Sequence, residues 1–112
     1  DATLLTQVLS NLLDNAGKYV SGPEPRVWFR LYKDNGHACL VVENTHPPLP
    51  PEALEHLFEP YFRHERQTGT GVGLGLSIVR TIVELHGGSV RVENFESGVR
   101  VAAALPLTAV SC

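Results

Sequence analysis

The chain has 112 residues, of which 43% are hydrophobic and 19% charged, and its formal net charge is −3 at pH 7. This length and composition suit one globular domain, residues 1–112, with a two-layer core. The acidic balance and the lack of a basic run argue against a nucleic-acid surface, and no stretch is long enough to span a membrane.

The cysteines and the first residue bear on the origin of the chain. Cys39 and Cys112 are not spaced as a metal or redox pair, and no secretory signal is visible, which fits a reducing compartment. The chain contains no methionine and begins with Asp1. We therefore expect it to be a fragment of a longer protein.

The first predicted element is a helix over residues 2–19, with Asp1 as its N-cap. Its apolar residues recur at helical spacing and are Leu5, Val8, Leu9, Leu12, Leu13 and Ala16. The proline- and glycine-containing residues 21–25 end this helix and turn the chain.

Two strands are predicted next, over residues 26–32 and 37–44, because polar and apolar residues alternate in both. The residues that share one face are Val27, Phe29 and Leu31 in the first strand, and Ala38, Leu40 and Val42 in the second. Residues 33–36 form the turn, in which Asn35-Gly36 favours a tight hairpin.

The second half of the chain continues with irregular, helical and extended segments. They are a proline-rich loop over 47–51, a short helix over 52–58, a polar loop over 63–70, a long helix over 73–86 stopped by Gly87 and Gly88, and strands over 89–94 and 98–105. This order predicts an α+β fold, with helices on one face of a mostly antiparallel sheet.

Glycines occupy every second position from Gly69 to Gly75, directly before the second long helix. Such a run is unsuited to a helix or strand interior but lets the backbone approach a ligand closely. The free N–H groups at a helix N-terminus favour phosphate. The alternative is a glycine-rich turn that only packs a loop.

A polar stripe follows one side of the first helix, formed by Gln7, Asn11, Asn15 and Lys18. Asparagine is a poor helix former, but its amide oxygen is a good ligand for a hard cation, and a lysine suits phosphate. The alternative is a solvated helix face. Gly17, in the same helix, marks either the close approach of another backbone or fraying of the helix end.

Three segments together resemble the N, F and G2 boxes of the ATP-binding domain of sensor histidine kinases. In chain order they read NLLDNAGKY over 11–19, LFEPYFR over 57–63 and GVGLGL over 71–76. The resemblance extends over the whole chain. It implies a two-layer α/β sandwich of the Bergerat type, shared with DNA gyrase, with a mostly antiparallel, mixed sheet covered by helices on one face.

The resemblance also implies roles for the first helix. ATP would lie between the two long helices, with Asn15 binding a Mg²⁺ ion that bridges the phosphates. Asn11 and Lys18 would contact the phosphates or the ion, and Tyr19 would pack near the base or ribose. Hydrolysing relatives have a glutamate at the position of Asn11. Because an amide cannot act as a general base, the site should hold ATP without rapid hydrolysis.

The glycine box and the loop before it would complete the phosphate side of the site. The box residues implied in nucleotide binding are Gly71, Gly73, Leu74 and Gly75. Residues 63–70 would form a short lid over the nucleotide. Arg63 would neutralise phosphate charge there, whereas Arg66 is equally well explained as a solvated loop residue. No catalytic residue beyond those that position ATP is implied.

The chain departs from the family at the G1 box, whose pattern is Asp-x-Gly-x-Gly followed by an aliphatic residue and proline. Aligning Leu49 with the aliphatic position puts Asn44 at the aspartate and His46 and Pro48 at the glycines. Asn44 would still accept a hydrogen bond from the adenine amino group, without the strength of a carboxylate. His46 would be either a new contact or a solvated loop residue.

The resemblance therefore predicts the ATP-binding, catalytic domain of a two-component sensor histidine kinase. Its partners would be ATP with Mg²⁺, a histidine-bearing dimerisation domain and a response regulator, with no nucleic acid and no direct membrane contact. None of the five histidines has the helical setting of an acceptor. We expect a cytoplasmic location, as part of a membrane-anchored sensor. The alternatives are a degenerate scaffold and a serine kinase of the anti-sigma-factor type.

Overall fold

The computed structural model describes residues 2–58 and 75–110. Its elements in chain order are α1 (Ala2–Tyr19), β1 (Val27–Asp34), β2 (His37–Thr45), α2 (Pro51–His56), α3 (Gly75–Leu85), β3 (Ser89–Phe95), β4 (Gly98–Pro106) and α4 (Leu107–Val110). Each predicted helix and strand has a counterpart in this order, and α4 is the one element that the sequence did not predict.

The four described strands form one sheet in the order β1-β2-β4-β3. All their pairings are antiparallel, so no parallel pair of the expected mixed sheet occurs among the described strands. Helices α1 and α3 pack against each other and on β2, β3 and β4. The predicted α+β sandwich of two layers is confirmed.

Turn geometry explains where several elements begin and end. Asn35 (φ 49°) and Gly36 (φ 76°) both adopt the left-handed conformation of a two-residue hairpin turn, so β1 extends to Asp34 instead of ending at Tyr32. Gly87 (φ 80°) is left-handed after α3, and the Gly88 N–H donates to the Val83 carbonyl at 2.9 Å. This is the predicted glycine stop of the long helix.

The main core lies between the two long helices and the sheet. Val8, Leu12 and Ala16 are buried, as the helical spacing predicted, but Leu13 is 37% exposed and Leu4 is buried in addition. The buried side of α1 is therefore rotated from the predicted one. The remaining residues of this core are Leu40, Val42, Phe58, Leu76, Val79, Val83, Val101, Ala103 and Leu105.

Strand β1 lies at one edge of the sheet and is exposed along its whole length. Phe29 pairs with Val42 and Leu31 with Leu40, which places both on the side of the sheet that carries the helices. They nevertheless remain 45% and 49% exposed. The predicted shared face of β1 is present, but the described helices do not cover it.

The opposite side of the sheet carries a network of ion pairs. Arg100 on β4 donates to both Glu43 on β2 and Glu93 on β3. The hydrogen bond from Arg100 is the main cause of the lowered pKa of Glu93.

No helix among the described residues is both long and apolar enough to cross a bilayer.

Replacing Gly17 by alanine is expected to raise the free energy of unfolding by about 0.5–1 kcal/mol. A Cβ atom at this helical position would have nothing within 4 Å, so the gain in helix propensity meets no steric cost. Close approach of a described backbone therefore does not explain this glycine. Chemical denaturation of both proteins measures the difference, and an unchanged or lower stability would contradict the expectation.

Candidate functional site

The end of α1 and the end of β2 meet at one side of the molecule. The Ser21 N–H, just after α1, donates to the Thr45 carbonyl at 2.9 Å. The Arg26 N–H donates to the Thr45 hydroxyl at 3.0 Å, which ties down the connection that leads into β1. These bonds bring the last turn of α1, with Lys18 and Tyr19, to the end of β2 that carries Asn44.

The predicted polar stripe lies at the edge of the buried side of α1. Asn11, Asn15 and Tyr19 are half-buried, whereas Lys18 is exposed. Within residues 2–58 and 75–110 no hydrogen-bond partner is found for the amide of Asn11 or Asn15. Two partly buried amides on one helix face are therefore available to a ligand.

An open depression of about 640 Å³ continues this stripe toward the start of α1. Its lining residues are Thr3, Thr6, Gln7, Ser10 and Asn11. Gln7 and Asn11 belong to the predicted stripe. The hydroxyl residues among them were not predicted from the sequence, because single serines and threonines in a helix form no motif.

Asn44 is the one buried polar residue among those described, with 5% of its surface exposed. It shares the helix side of the sheet with Val42 and Leu40, at the end of β2. Its Nδ2 donates to the Thr45 carbonyl at 3.1 Å. Its Oδ1 has no hydrogen-bond partner among the described residues. Because every completely buried polar side-chain atom of those residues has a partner, Oδ1 keeps some exposed surface, and its acceptor capacity is unused.

The loop after β2 packs on the same end of the sheet. Leu49 is 8% exposed and forms a small apolar cluster with Ala53 of α2 and Val99 of β4. His46 is half-buried, and its Nδ1 lies 2.7 Å from the Pro47 carbonyl oxygen. Because a carbonyl can only accept, Nδ1 carries the proton and the ring is held within its own loop.

Two further residues at this end of the sheet were not predicted from the sequence. Both side-chain groups of Asn94 on β3 bond the backbone of Leu49 at 2.9 Å. Gly98 begins β4 so close to β2 that a Cβ atom there would overlap the Asn44 carbonyl oxygen. A lone asparagine or glycine beside a hairpin turn has an ordinary local explanation, so nothing in the sequence separated these two.

The predicted phosphate side is described only in part. Gly75 is the first residue given for α3 and the first described residue after the gap, so the predicted start of this helix at residue 73 lies outside the described residues. The other residues predicted on that side, Arg63, Arg66, Gly71, Gly73 and Leu74, lie outside the described residues. The short helix α2 ends at His56, and Phe58 of the predicted F box belongs to the core.

Comparison with known proteins identifies the class of the chain. The family model of the histidine kinase-, DNA gyrase B-, and HSP90-like ATPases matches residues 1–109. The chain therefore belongs to this family of ATP-binding domains, and the resemblance carried by the N, F and G2 boxes is confirmed.

The named relatives narrow the class to sensor kinases. The sensor protein CutS of Streptomyces coelicolor is 39% identical over 101 residues, covering 88% of this chain and 24% of CutS. The mycobacterial sensor histidine kinase MprB has a similar structure, with a TM-score of 0.80 and 38% identity over 95% of this chain and 74% of that one. The chain thus spans about a quarter of the length of CutS.

A third comparison involves an assembled kinase. The structure of the histidine kinase ThkA in complex with the response regulator protein TrrA matches with a TM-score of 0.74 and 33% identity. The match covers 100% of this chain and 31% of that one.

Proposed function

We propose that the chain binds ATP as the catalytic domain of a sensor histidine kinase and presents the γ-phosphoryl group to a histidine on a separate dimerisation domain. One observation carries this proposal. The single buried polar side chain of the described residues, Asn44, lies where the last turn of α1 reaches the sheet. A neutral acceptor in an otherwise apolar wall suits the amino group of a base.

The phosphates would lie along α1, on the side that carries Asn11, Asn15 and Lys18. Catalysis by such a site consists of positioning and neutralisation of charge, because phosphoryl transfer needs little covalent chemistry from the protein. Lys18 is exposed at the end of α1, where its ammonium group has the freedom to meet a phosphate. Tyr19, half-buried at the last position of α1, would pack near the base or ribose.

The donor set fits a magnesium ion that arrives with the nucleotide. Among the described residues, no group of three or more His, Cys, Asp or Glu could hold a metal ion. Mg²⁺ in nucleotide sites needs only one or two protein ligands, since phosphates and waters supply the rest. We propose that the Oδ1 atom of Asn15 is that ligand. Bound there, the ion would neutralise charge on the phosphates.

The remaining nucleotide contacts are divided between the phosphates and the base. The glycine box, with Gly71, Gly73, Leu74 and Gly75, would cradle the phosphates at the start of α3, and Arg63 would add charge. Leu49 would line the base side together with Asn44. Because Asn11 cannot take a proton from water, we propose slow hydrolysis, which preserves ATP for the protein acceptor.

The partners and the location belong to the same proposal. The match to ThkA bound to TrrA supports a response regulator as the final phosphoryl acceptor of the whole protein. The match to the sensor protein CutS supports a larger protein with a sensing part. We place this domain in the cytoplasm, where ATP is available, as one part of a membrane-anchored sensor.

The proposal is tested by titrating ATP against the 112-residue chain with Mg²⁺ and with excess chelator, followed by incubation with γ-labelled ATP. The expected result is Mg²⁺-dependent binding without labelling of the chain. Labelling should appear only when a histidine-bearing dimerisation domain is present in the same protein. Absence of binding at millimolar ATP would contradict the nucleotide assignment, and labelling of the chain's own histidines would contradict the separate acceptor.

A further inference from the structure

We propose that Asn94 is a positioning residue for the base side of the nucleotide site, an inference that rests on the proposed ATP binding. Asn94 lies on β3, an edge strand of the sheet. Strand β4 separates β3 from β2, the strand on which α1 packs. It would act through the loop of residues 46–50 and touch no part of the nucleotide itself.

The side chain of Asn94 makes two hydrogen bonds with one loop residue. Its Oδ1 accepts from the Leu49 N–H at 2.9 Å, and its Nδ2 donates to the Leu49 carbonyl oxygen at 2.9 Å. An asparagine amide carries the same donor and acceptor as a peptide group. Asn94 therefore pairs with Leu49 as the backbone of a neighbouring strand would.

The composition of the loop leaves few backbone groups that can form hydrogen bonds with a neighbouring strand. Residues 47, 48, 50 and 51 are all proline, so Leu49 has the only backbone N–H between positions 47 and 51. A backbone ladder cannot form along such a segment. Asn94 thus satisfies the single donor and an adjacent acceptor, and it holds the loop at the middle of its length.

The loop is held at a second point and leads directly to the buried amide. The His46 N–H donates to the Ser97 carbonyl at 3.3 Å, in the turn that follows β3. Across the sheet, Asn94 and Asn44 both pair with Val99, which is buried between them. The hairpin of β3 and β4 therefore determines the course of the chain immediately after Asn44.

This arrangement separates the two halves of the proposed site. The loop carries Leu49 and follows Asn44, which belong to the base side, whereas the proposed phosphate contacts lie on α1. Asn94 is itself exposed, so replacing it leaves no cavity in the core. Loss of the two bonds should therefore loosen the base side and leave the phosphate side and the fold intact.

The test compares the 112-residue chain with its Asn94→Ala and Asn94→Asp variants, and Ser89→Ala serves as the control at the other exposed end of β3. Three quantities are measured: the dissociation constants for Mg·ATP and for Mg·tripolyphosphate, and the hydrogen exchange of the Leu49 amide without nucleotide. With Asn94→Ala, ATP affinity should fall about tenfold, as two lost hydrogen bonds imply. Tripolyphosphate affinity should stay unchanged, and the Leu49 amide should exchange faster.

Asn94→Asp keeps an acceptor for the Leu49 N–H but loses the donor and faces the Leu49 carbonyl with a charge, so ATP affinity should fall as well. Wild-type ATP affinity in Asn94→Ala would overturn the inference while the proposed function stands. An equal loss for ATP and tripolyphosphate would also overturn it, since the effect would then not be confined to the base side. A wild-type chain that binds no ATP would overturn the proposed function, and the inference with it.

Discussion

Replacing Asn15 by alanine is expected to abolish Mg²⁺-dependent ATP binding and to leave the fold intact. Its amide is half-buried on α1 and has no hydrogen-bond partner among the described residues, so the variant loses no hydrogen bond to them. Alanine also favours the helix more than asparagine does. We expect the affinity for Mg·ATP to fall by about 100-fold or more, as for a lost bond to a charged group.

The matched control for this variant is Asp14→Ala, one residue earlier on the same helix. Asp14 is exposed and no part of the proposed site. Calorimetric titration with Mg²⁺ and with chelator should show a loss only in Asn15→Ala, with both variants melting at or above the wild-type temperature. Mg²⁺-dependent binding that survives in Asn15→Ala would show that the metal assignment is wrong.

Replacing Gly98 by alanine is expected to have the largest effect on stability. An added Cβ would overlap the Asn44 carbonyl oxygen and also crowd Thr45, and both obstacles are backbone atoms that cannot rotate away. Relief requires β2 and β4 to separate at the base side of the site. We expect the free energy of unfolding to fall by about 2–3 kcal/mol or more, as in overpacked cores.

Gly98→Ala should also weaken ATP binding, because the same movement displaces Asn44. The control is Gly17→Ala, where the same added methyl group has open space around it. Urea denaturation should give changes of opposite sign for the two variants. A Gly98→Ala protein with wild-type stability and ATP affinity would contradict the close approach of β4 to Asn44.

Local patterns sufficed for much of the fold. The helical spacing of its apolar residues predicted α1, because burying one side of a helix requires apolar residues every third or fourth position. Residues 21–25, with their prolines and glycine, predicted where it ends. Asn35-Gly36 predicted the first hairpin, since few other residue pairs adopt its left-handed turn. The exact buried side of α1 was not predicted, because it depends on how the helix is rotated against α3 and the sheet.

The candidate site likewise contains residues that the sequence predicted and residues that only the structure revealed. Asn11, Asn15 and Lys18 could be predicted from spacing along one helix, and Asn44 from an alignment with a family motif. The bonds of Asn94 to Leu49 join residues 45 positions apart, and the crowding of Gly98 against Asn44 arises only when β2 and β4 pair.

By itself, then, the sequence determined the helices, the strands, the family and the polar face of α1, because each depends on residues that are neighbours along the chain. Only the tertiary structure decided which residues support the base side of the site and that β1 keeps an exposed apolar face. Those properties depend on contacts between distant segments, which have no periodicity to reveal them.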